Sequence, residues 1–188
     1  MPFSLEHITR DWTLFLDRDG VINVRPFQDY VKKPADFQFL PGAKEALAIL
    51  SKYFKYLIVV TNQQGIGKKL MTESDLLAIH EKMQQELALE NVRIDAIYYC
   101  TMLANEANNC RKPSPVMAHQ AKADFPDIDF GHAIMAGDTS SDILFGHHVG
   151  MKSIQIGNEE VDVKPDLNFP DLLSFAKMLQ LKKQHHVA

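Results

Sequence analysis

A chain of 188 residues is about the size of one ordinary domain, and we expect residues 1–188 to form a single domain. Hydrophobic residues make up 46% of the chain and charged residues 23%, a composition that excludes disordered and fibrous classes. The net charge of −4 provides no broad positive field, so a small molecule is a better candidate partner than nucleic acid or an anionic membrane.

Short apolar runs alternate with longer amphipathic stretches along the chain. The runs predict buried strands over residues 12–16, 56–60, 96–99, 133–136 and 153–156. The amphipathic pattern predicts helices over 43–50, over 73–89 with Thr72 as N-cap, from about Thr139, and over 170–183, followed by a fraying tail over 184–188. Because strands and helices alternate, we predict an α/β fold, a doubly wound, Rossmann-like parallel sheet with helices on both faces.

The chain shows no sign of export or of membrane insertion. Its first residues lack the apolar core of a secretory signal, and no run approaches the roughly 18 apolar residues of a membrane helix. We therefore expect a cytoplasmic protein that is a monomer or a small homo-oligomer.

Polar residues follow the first two predicted strands. In an open α/β sheet, ligands bind at the carboxyl ends of the strands, so these positions are the first candidates for a site. Asp17 and Asp19 follow the first strand, and two acids this close repel each other unless a cation or a proton lies between them. Thr61 and Asn62 follow the second strand, where a hydroxyl and backbone amides can hold an anion. Taken alone, the first motif also fits an acidic turn, and the second fits a capped turn.

Two further polar segments lie later in the chain. Arg111 and Lys112 stand beside a proline, a combination that alone would fit a solvated loop. Asp138 and Asp142 follow the apolar run at 133–136, near the start of a predicted helix. Helix capping explains acids at that place equally well, and it is compatible with metal binding.

An acid pair, a hydroxyl, a cation and a second acid pair, in this order at successive strand ends, are improbable as a coincidence. The order and the local sequences resemble the haloacid dehalogenase (HAD) superfamily of phosphohydrolases over roughly residues 14–156. Residues 17–23, 29–31, 40–42, 61–63 and 110–113 resemble its branch of heptose bisphosphate and histidinol phosphate phosphatases. The resemblance implies a Mg²⁺-dependent phosphomonoester hydrolase, with a heptose or other sugar bisphosphate as the first candidate substrate.

The resemblance also implies catalytic roles for three acids. Asp17 would attack phosphorus and form an aspartyl phosphate, while Asp19 would protonate the leaving oxygen and then activate water. The Asp17 carboxylate, the Asp19 backbone carbonyl and Asp138 would hold Mg²⁺, which prefers oxygen ligands.

Substrate-binding roles follow from the same resemblance. Thr61 and Lys112 would hold the phosphoryl oxygens, with Asn62 assisting through its backbone amide. Asp142 would orient Lys112 or a metal-bound water. Arg111 is a specificity candidate, because a guanidinium binds a second phosphate or a carboxylate bidentately.

The chain departs from this branch at a zinc site that many of its members carry. Their Cys-x-His pair and later Cys-x-Cys pair correspond here to Cys100-Thr101-Met102 and Asn108-Asn109-Cys110. Only two of four ligands remain, so we expect no zinc and predict that Cys100 and Cys110 are ordinary reduced thiols.

The spacings between Asp17, Thr61 and Lys112 leave too few residues for a large cap domain, so we expect an open site. Loops at 25–33, 63–69 and 102–110 would then select the substrate.

The alternative functions are a phosphatase for histidinol phosphate or for a nucleic-acid end, and, outside the enzymes, a phospho-accepting signalling module or a catalytically silent binding protein. Asp19 argues against a signalling module, because an acid two residues after the nucleophile favours hydrolysis.

Overall fold

A computed structural model describes residues 3–184 of the chain. Six parallel strands form one sheet in the order β3-β2-β1-β4-β5-β6. The strands are β1 (Thr13–Leu16), β2 (Tyr56–Asn62), β3 (Ala96–Cys100), β4 (Ala133–Gly137), β5 (Lys152–Ile156) and β6 (Leu167–Phe169). The helices are α1 (Ala43–Leu50), α2 (Gln64–Gly67), α3 (Glu73–Ala88), α4 (Val116–Asp124), α5 (Ser140–Val149) and α6 (Leu172–Gln184). The predicted α/β fold is confirmed, and no inserted cap domain interrupts the sheet within the described residues.

The central strands are apolar throughout because both faces of the sheet are covered. Leu14 and Leu16 of β1 pack into a cluster that includes α1, α3 and α6, whereas Phe15 packs into a second cluster with α4 and α5. Neighbouring residues of a strand point to opposite faces, so an unbroken apolar run fills both layers.

The helices begin where the sequence places their caps. The Thr72 hydroxyl accepts a hydrogen bond from the Asp75 amide (3.2 Å), and the Asp75 carboxylate accepts one from the Thr72 amide (2.8 Å). These reciprocal bonds satisfy amides that the first turn of α3 leaves free. The closing helix α6 lies close to its predicted span; of the predicted fraying tail, residues 185–188 lie outside the described residues.

Three of these strands and helices, α2, α4 and β6, were not predicted from the sequence. Strand β6 has only three residues, and the polar Asn168 is the middle one. It therefore shows no apolar run, although it pairs in register with β5. The short helix α2 occupies part of the loop at 63–69. No helix within residues 3–184 is long and apolar enough to cross a membrane.

The topology brings the polar segments together. Strand β1 lies between β2 and β4, and the carboxyl ends of these three parallel strands meet at one edge of the sheet. From β1 the chain continues outward to β2 and β3 and then crosses to β4 on the other side of β1, and such a switch point leaves a crevice above the strand ends.

Candidate active site

A buried lysine lies at the centre of the crevice. The Lys112 Nζ atom is 2.6 Å from Asp17 Oδ1 and 2.7 Å from Asp142 Oδ1, and it donates to the Val60 carbonyl at 2.7 Å. The three side chains are at most 8% exposed. The ammonium group therefore donates hydrogen bonds to Asp17 and to Val60 and forms an ion pair with Asp142, and these contacts fix its position between the two carboxylates.

The charges of this group shift its protonation equilibria. Burial raises the pKa of Asp17 to about 6, although Lys112 opposes the rise. Burial would lower the pKa of Lys112, but the charges of Asp142 and Asp17 outweigh it and raise that pKa. At neutral pH Asp17 is thus mainly a carboxylate beside a permanent cation, which is the form that a nucleophile requires.

Asp142 joins this group to the start of α5. Its Oδ2 atom accepts hydrogen bonds from the Thr139 amide (3.0 Å) and hydroxyl (2.7 Å), while Oδ1 faces Lys112. The two oxygens of Asp142 therefore make different contacts, one within the cap of α5 and the other with Lys112. Because both oxygens are engaged, Asp142 is a poor metal ligand, although it lies within 4.8 Å of ligand atoms of Asp17 and Asp138.

The Asp19 carboxylate is turned into a polar network. It accepts hydrogen bonds from Asn23 (2.8 Å), from Gln63 (2.9 Å) and from Arg18 Nη2, which is 3.0 Å from both of its oxygens. Burial alone would raise the pKa of Asp19, but Arg18 and the Asn23 hydrogen bond hold it below its ordinary value. In this structure Asp19 is a hydrogen-bond acceptor in its ionised form.

Sequence reasoning did not identify the residues that hold Asp19. Arg18 is fully buried, and its Nη1 atom donates to Nε2 of His80 at 3.0 Å. Burial and the charge of Arg18 lower the pKa of His80 to about 3, so the imidazole is neutral and accepts this bond. The sequence carried no signal for this contact, because arginine is almost never fully buried unless it is paired and the burial of Arg18 is visible only in the fold.

The predicted magnesium ligands converge on one cation. The Nη2 atom of Arg25 is 3.0 Å from the Asp19 carbonyl oxygen, 2.7 Å from Asp138 Oδ1 and 3.9 Å from Asp17 Oδ2. Burial and the Asp17 charge raise the pKa of Asp138 to about 8 despite Arg25. Three oxygen ligands around one positive group form a donor set that fits Mg²⁺.

Gly20 leaves room for the Asp138 carboxylate beside the predicted magnesium ligands. Its φ is +92°, and a Cβ atom there would lie 2.0 Å from Asp138 Oδ2. Any side chain would displace the carboxylate and strain the backbone.

Thr61 and Asn62 extend the site along β2. The Thr61 hydroxyl accepts a hydrogen bond from Gln63 Nε2 (2.9 Å), which leaves its proton available for a phosphoryl oxygen. The Asn62 amide group accepts from the Lys112 backbone N–H (2.9 Å) and donates to the Lys112 carbonyl (3.3 Å). Asn62 therefore has a role that was not predicted, because its side chain fixes the backbone of Lys112.

The site opens into a cleft of about 200 Å³. Its lining includes Arg25, Tyr30 and Arg111 besides the residues at the strand ends. Within residues 3–184 the Arg111 guanidinium makes no hydrogen bond or ion pair, so its five donors are available to a ligand.

The prediction of two reduced thiols is wrong. Cys100, at the end of β3, and Cys110, next to Arg111, form a disulfide with their Cα atoms 5.6 Å apart. The loop between them folds back onto β3, and the Asn109 side chain accepts from the Arg111 amide and donates to the Leu103 carbonyl. The number of zinc ligands in the sequence says nothing about the path of the loop, so it could not predict that Cys100 and Cys110 lie close enough to form a disulfide.

Known proteins are similar to this chain in sequence and in fold. A HAD-hydrolase-like family model matches residues 109–172. The D-glycero-alpha-D-manno-heptose-1,7-bisphosphate 7-phosphatase of Mycobacterium tuberculosis is 38% identical over 176 residues, which cover 91% of this chain and 93% of that protein. The D-glycero-beta-D-manno-heptose-1,7-bisphosphate 7-phosphatase of Vibrio cholerae is 38% identical over 145 residues, which cover 73% of this chain and 76% of that protein.

A solved structure extends the similarity to three dimensions. The D,D-heptose 1,7-bisphosphate phosphatase of B. bronchiseptica, complexed with magnesium and phosphate, superposes with a TM-score of 0.80 at 27% identity and covers 91% of this chain and 99% of that one. These similarities favour an enzyme and give no support to a phospho-accepting signalling module. The chain belongs to the family of HAD-like phosphatases that includes the heptose-1,7-bisphosphate 7-phosphatases.

Proposed function

We propose that this phosphatase removes a phosphate group from a heptose 1,7-bisphosphate through an aspartyl-phosphate intermediate on Asp17. The observation that carries the proposal is the buried pair in which Lys112 Nζ lies 2.6 Å from Asp17 Oδ1. A nucleophilic carboxylate must approach a negatively charged phosphate, and a fixed cation at this distance offsets their repulsion. The family relatives supply the substrate class, because they are named for heptose bisphosphates.

Lys112 and Thr61 would hold the transferred phosphoryl group. Both line the cleft together with Asp17, and each would offer a proton to oxygens on which negative charge resides. Asn62 would keep Lys112 in register through its two bonds to the Lys112 backbone and would offer its own backbone amide. Asp142 would position Lys112 without contacting the substrate.

Asp19 would serve as general acid and then as general base. To act as an acid, Asp19 would first have to take up a proton from solvent or from the phosphate group of the substrate. Its carboxyl group would then have to give up its contacts with Asn23, Gln63 and Arg18 in order to reach the leaving oxygen. After the proton is transferred, the same three residues would again donate hydrogen bonds to the ionised Asp19 carboxylate. They would therefore stabilise Asp19 in the form that it has after proton donation.

Magnesium would be held by the Asp17 carboxylate, the Asp19 carbonyl and Asp138. When bound, the metal supplies positive charge that offsets the repulsion between the nucleophile and the phosphate. Support for this ligand set comes from the convergence of the same three groups on Arg25.

Arg111 would bind the second phosphate of the substrate. A bisphosphate carries an anion away from the reacting phosphorus, and Arg111 brings an unpaired guanidinium to the same cleft. We further infer a single domain, a cytoplasmic location and a monomeric or small homo-oligomeric state, with neither nucleic acid nor membrane as partner.

Phosphate release tests the proposal directly. The wild-type chain, with Mg²⁺, is offered the alpha and beta anomers of D-glycero-D-manno-heptose 1,7-bisphosphate, histidinol phosphate, nucleotides and 5′-phosphorylated oligonucleotides. We expect the highest kcat/KM with a heptose bisphosphate and release from the 7-position, read by phosphorus NMR. A preference for histidinol phosphate or for an oligonucleotide would contradict the assigned substrate.

Asp17→Asn is the matched control for the mechanism. The substitution keeps the shape of the side chain but removes the nucleophile, so turnover should fall to background while the far-UV circular dichroism stays unchanged. Normal Mg²⁺-dependent phosphate release by this variant would contradict the covalent route for any substrate.

A further inference from the structure

Arg25 is the cation on which the predicted magnesium ligands converge. Its Nη2 atom is within hydrogen-bond distance of the Asp19 carbonyl (3.0 Å) and of Asp138 Oδ1 (2.7 Å). No role was predicted for this residue beyond its place in the loop at 25–33. Because Asp138 is 113 positions away along the chain, their contact exists only in the folded protein.

Arg25 and a metal ion cannot share these ligands. Mg²⁺ binds oxygen atoms at about 2.0–2.1 Å and demands near-octahedral geometry. A guanidinium nitrogen that donates to two of the same oxygens would lie against the metal, and two cations would then repel each other at contact distance. Metal binding therefore requires that the guanidinium group leave.

The surroundings of Arg25 allow it to leave. Its side chain is 37% exposed, whereas the Asp138 side chain is only 6% exposed. On the outer side, Arg25 Nη1 lies 3.6 Å from Glu159 Oε1, a carboxylate that is 60% exposed. An outward rotation thus keeps one ion pair and moves the charge towards solvent.

We propose that Arg25 is a tethered counter-ion of the magnesium site, which neutralises the buried ligands before metal binds and competes with the metal for them. This inference rests on the magnesium site of the proposed function. The apparent affinity for Mg²⁺ is then the intrinsic affinity reduced by the fraction of molecules in which Arg25 has left. If that fraction is about one tenth, removal of Arg25 tightens Mg²⁺ binding about tenfold, which equals about 1.4 kcal/mol.

Calorimetric titration of MgCl₂ into chelator-treated full-length protein tests the competition. We expect Arg25→Gln to bind Mg²⁺ about tenfold more tightly than the wild type. Arg111→Gln is the matched control, because it also removes a guanidinium from the cleft but one that does not touch Asp138. This control should change the affinity less than about twofold.

Thermal melting gives a second readout. In chelator, Arg25→Gln should melt below the wild type, because Asp138 loses its counter-ion, and saturating Mg²⁺ should remove most of that difference. The gain in Tm on adding Mg²⁺ is therefore larger in Arg25→Gln than in the wild type or in Arg111→Gln.

Several results would overturn the proposal. Equal or weaker Mg²⁺ binding by Arg25→Gln would exclude competition, and equal tightening in both variants would assign the effect to net charge. Failure of Arg25→Gln to fold even in Mg²⁺ would also overturn it, because the metal-bound state should not need Arg25. No substrate enters these measurements, so they can succeed or fail independently of the assigned substrate.

Discussion

Lys112→Met removes the only charge that separates two buried carboxylates within the described site. Methionine fills most of the volume of the lysine side chain, so the main change is electrostatic. Asp17 Oδ1, Asp142 Oδ1 and the Val60 carbonyl, all within 2.7 Å of Nζ, then lose their shared donor. We expect both a loss of turnover and a lower free energy of unfolding.

The size of the stability loss follows from burial. Removing one partner of a buried ion pair costs about 3–5 kcal/mol, because it leaves an uncompensated charge in the interior. In a domain of this length that loss corresponds to a Tm decrease of about 6–20 °C. The two unpaired carboxylates should take up a proton more readily than in the wild type. A raised pKa in the folded state means that the folded chain binds more protons than the unfolded chain, so the loss is greatest at high pH and shrinks as the pH falls.

Urea unfolding at pH 5 and pH 8, in chelator, measures both effects. Lys177→Met is the matched control, since Lys177 pairs with Glu45 at 3.2 Å on the surface with both side chains more than half exposed. That exposed pair should contribute less than about 1 kcal/mol, with little dependence on pH. A loss below about 1 kcal/mol for Lys112→Met, or an equal loss at both pH values, would refute this account of the buried charges.

Three further predictions concern the same edge of the sheet. Because burial raises the pKa of Asp17 to about 6 and that of Asp138 to about 8, the metal-free protein should lose stability as the pH rises from 5 to 8. The lowered pKa of His80 acts in the opposite direction below about pH 6.5, but one histidine offsets only part of the effect of two carboxylates. Urea unfolding with and without Mg²⁺ should show that the metal flattens this dependence, and a rise in stability across that range in chelator would contradict it. Gly20→Ala should weaken Mg²⁺ binding in calorimetry and destabilise the fold by more than about 1 kcal/mol, whereas unchanged binding would show that the loop relaxes freely. Reduction of the bond between Cys100 and Cys110 should lower the free energy of unfolding by about 2–3 kcal/mol, and the double alanine variant should no longer respond to the reductant.

The sequence was sufficient for strands β1 to β5 and for the polar positions at the ends of three of them. Asp17 and Asp138 follow β1 and β4, and Thr61 lies near the end of β2. Parallel strands bring such positions together regardless of their distance along the chain. Lys112 was found differently, through the family resemblance, because it lies in a loop with no periodic pattern. The roles of the catalytic residues stay predictions until the variants are measured.

The contacts that the sequence did not reveal all depend on loops. Arg25 reaches Asp138 from an irregular segment, where no hydrophobic period fixes the direction of a side chain. The bond between Cys100 and Cys110 was missed because a comparison of zinc ligands says nothing about how the loop between them returns. Strand β6 was missed because it has only three residues and lies at the sheet edge, where pairing needs little apolar surface.

The position of β1 between β2 and β4 has a consequence for hydrogen exchange. Amides in a fully buried central strand exchange with solvent only when the whole domain unfolds, whereas loops open locally at much lower free energy. Asp17 and Thr61 therefore lie at the ends of the strands whose backbone amides should exchange most slowly, while the amides of the segments at 25–41 and 102–110 should exchange early. Replacements in those loops should then leave the slowest-exchanging amides, and with them the position of Asp17, undisturbed.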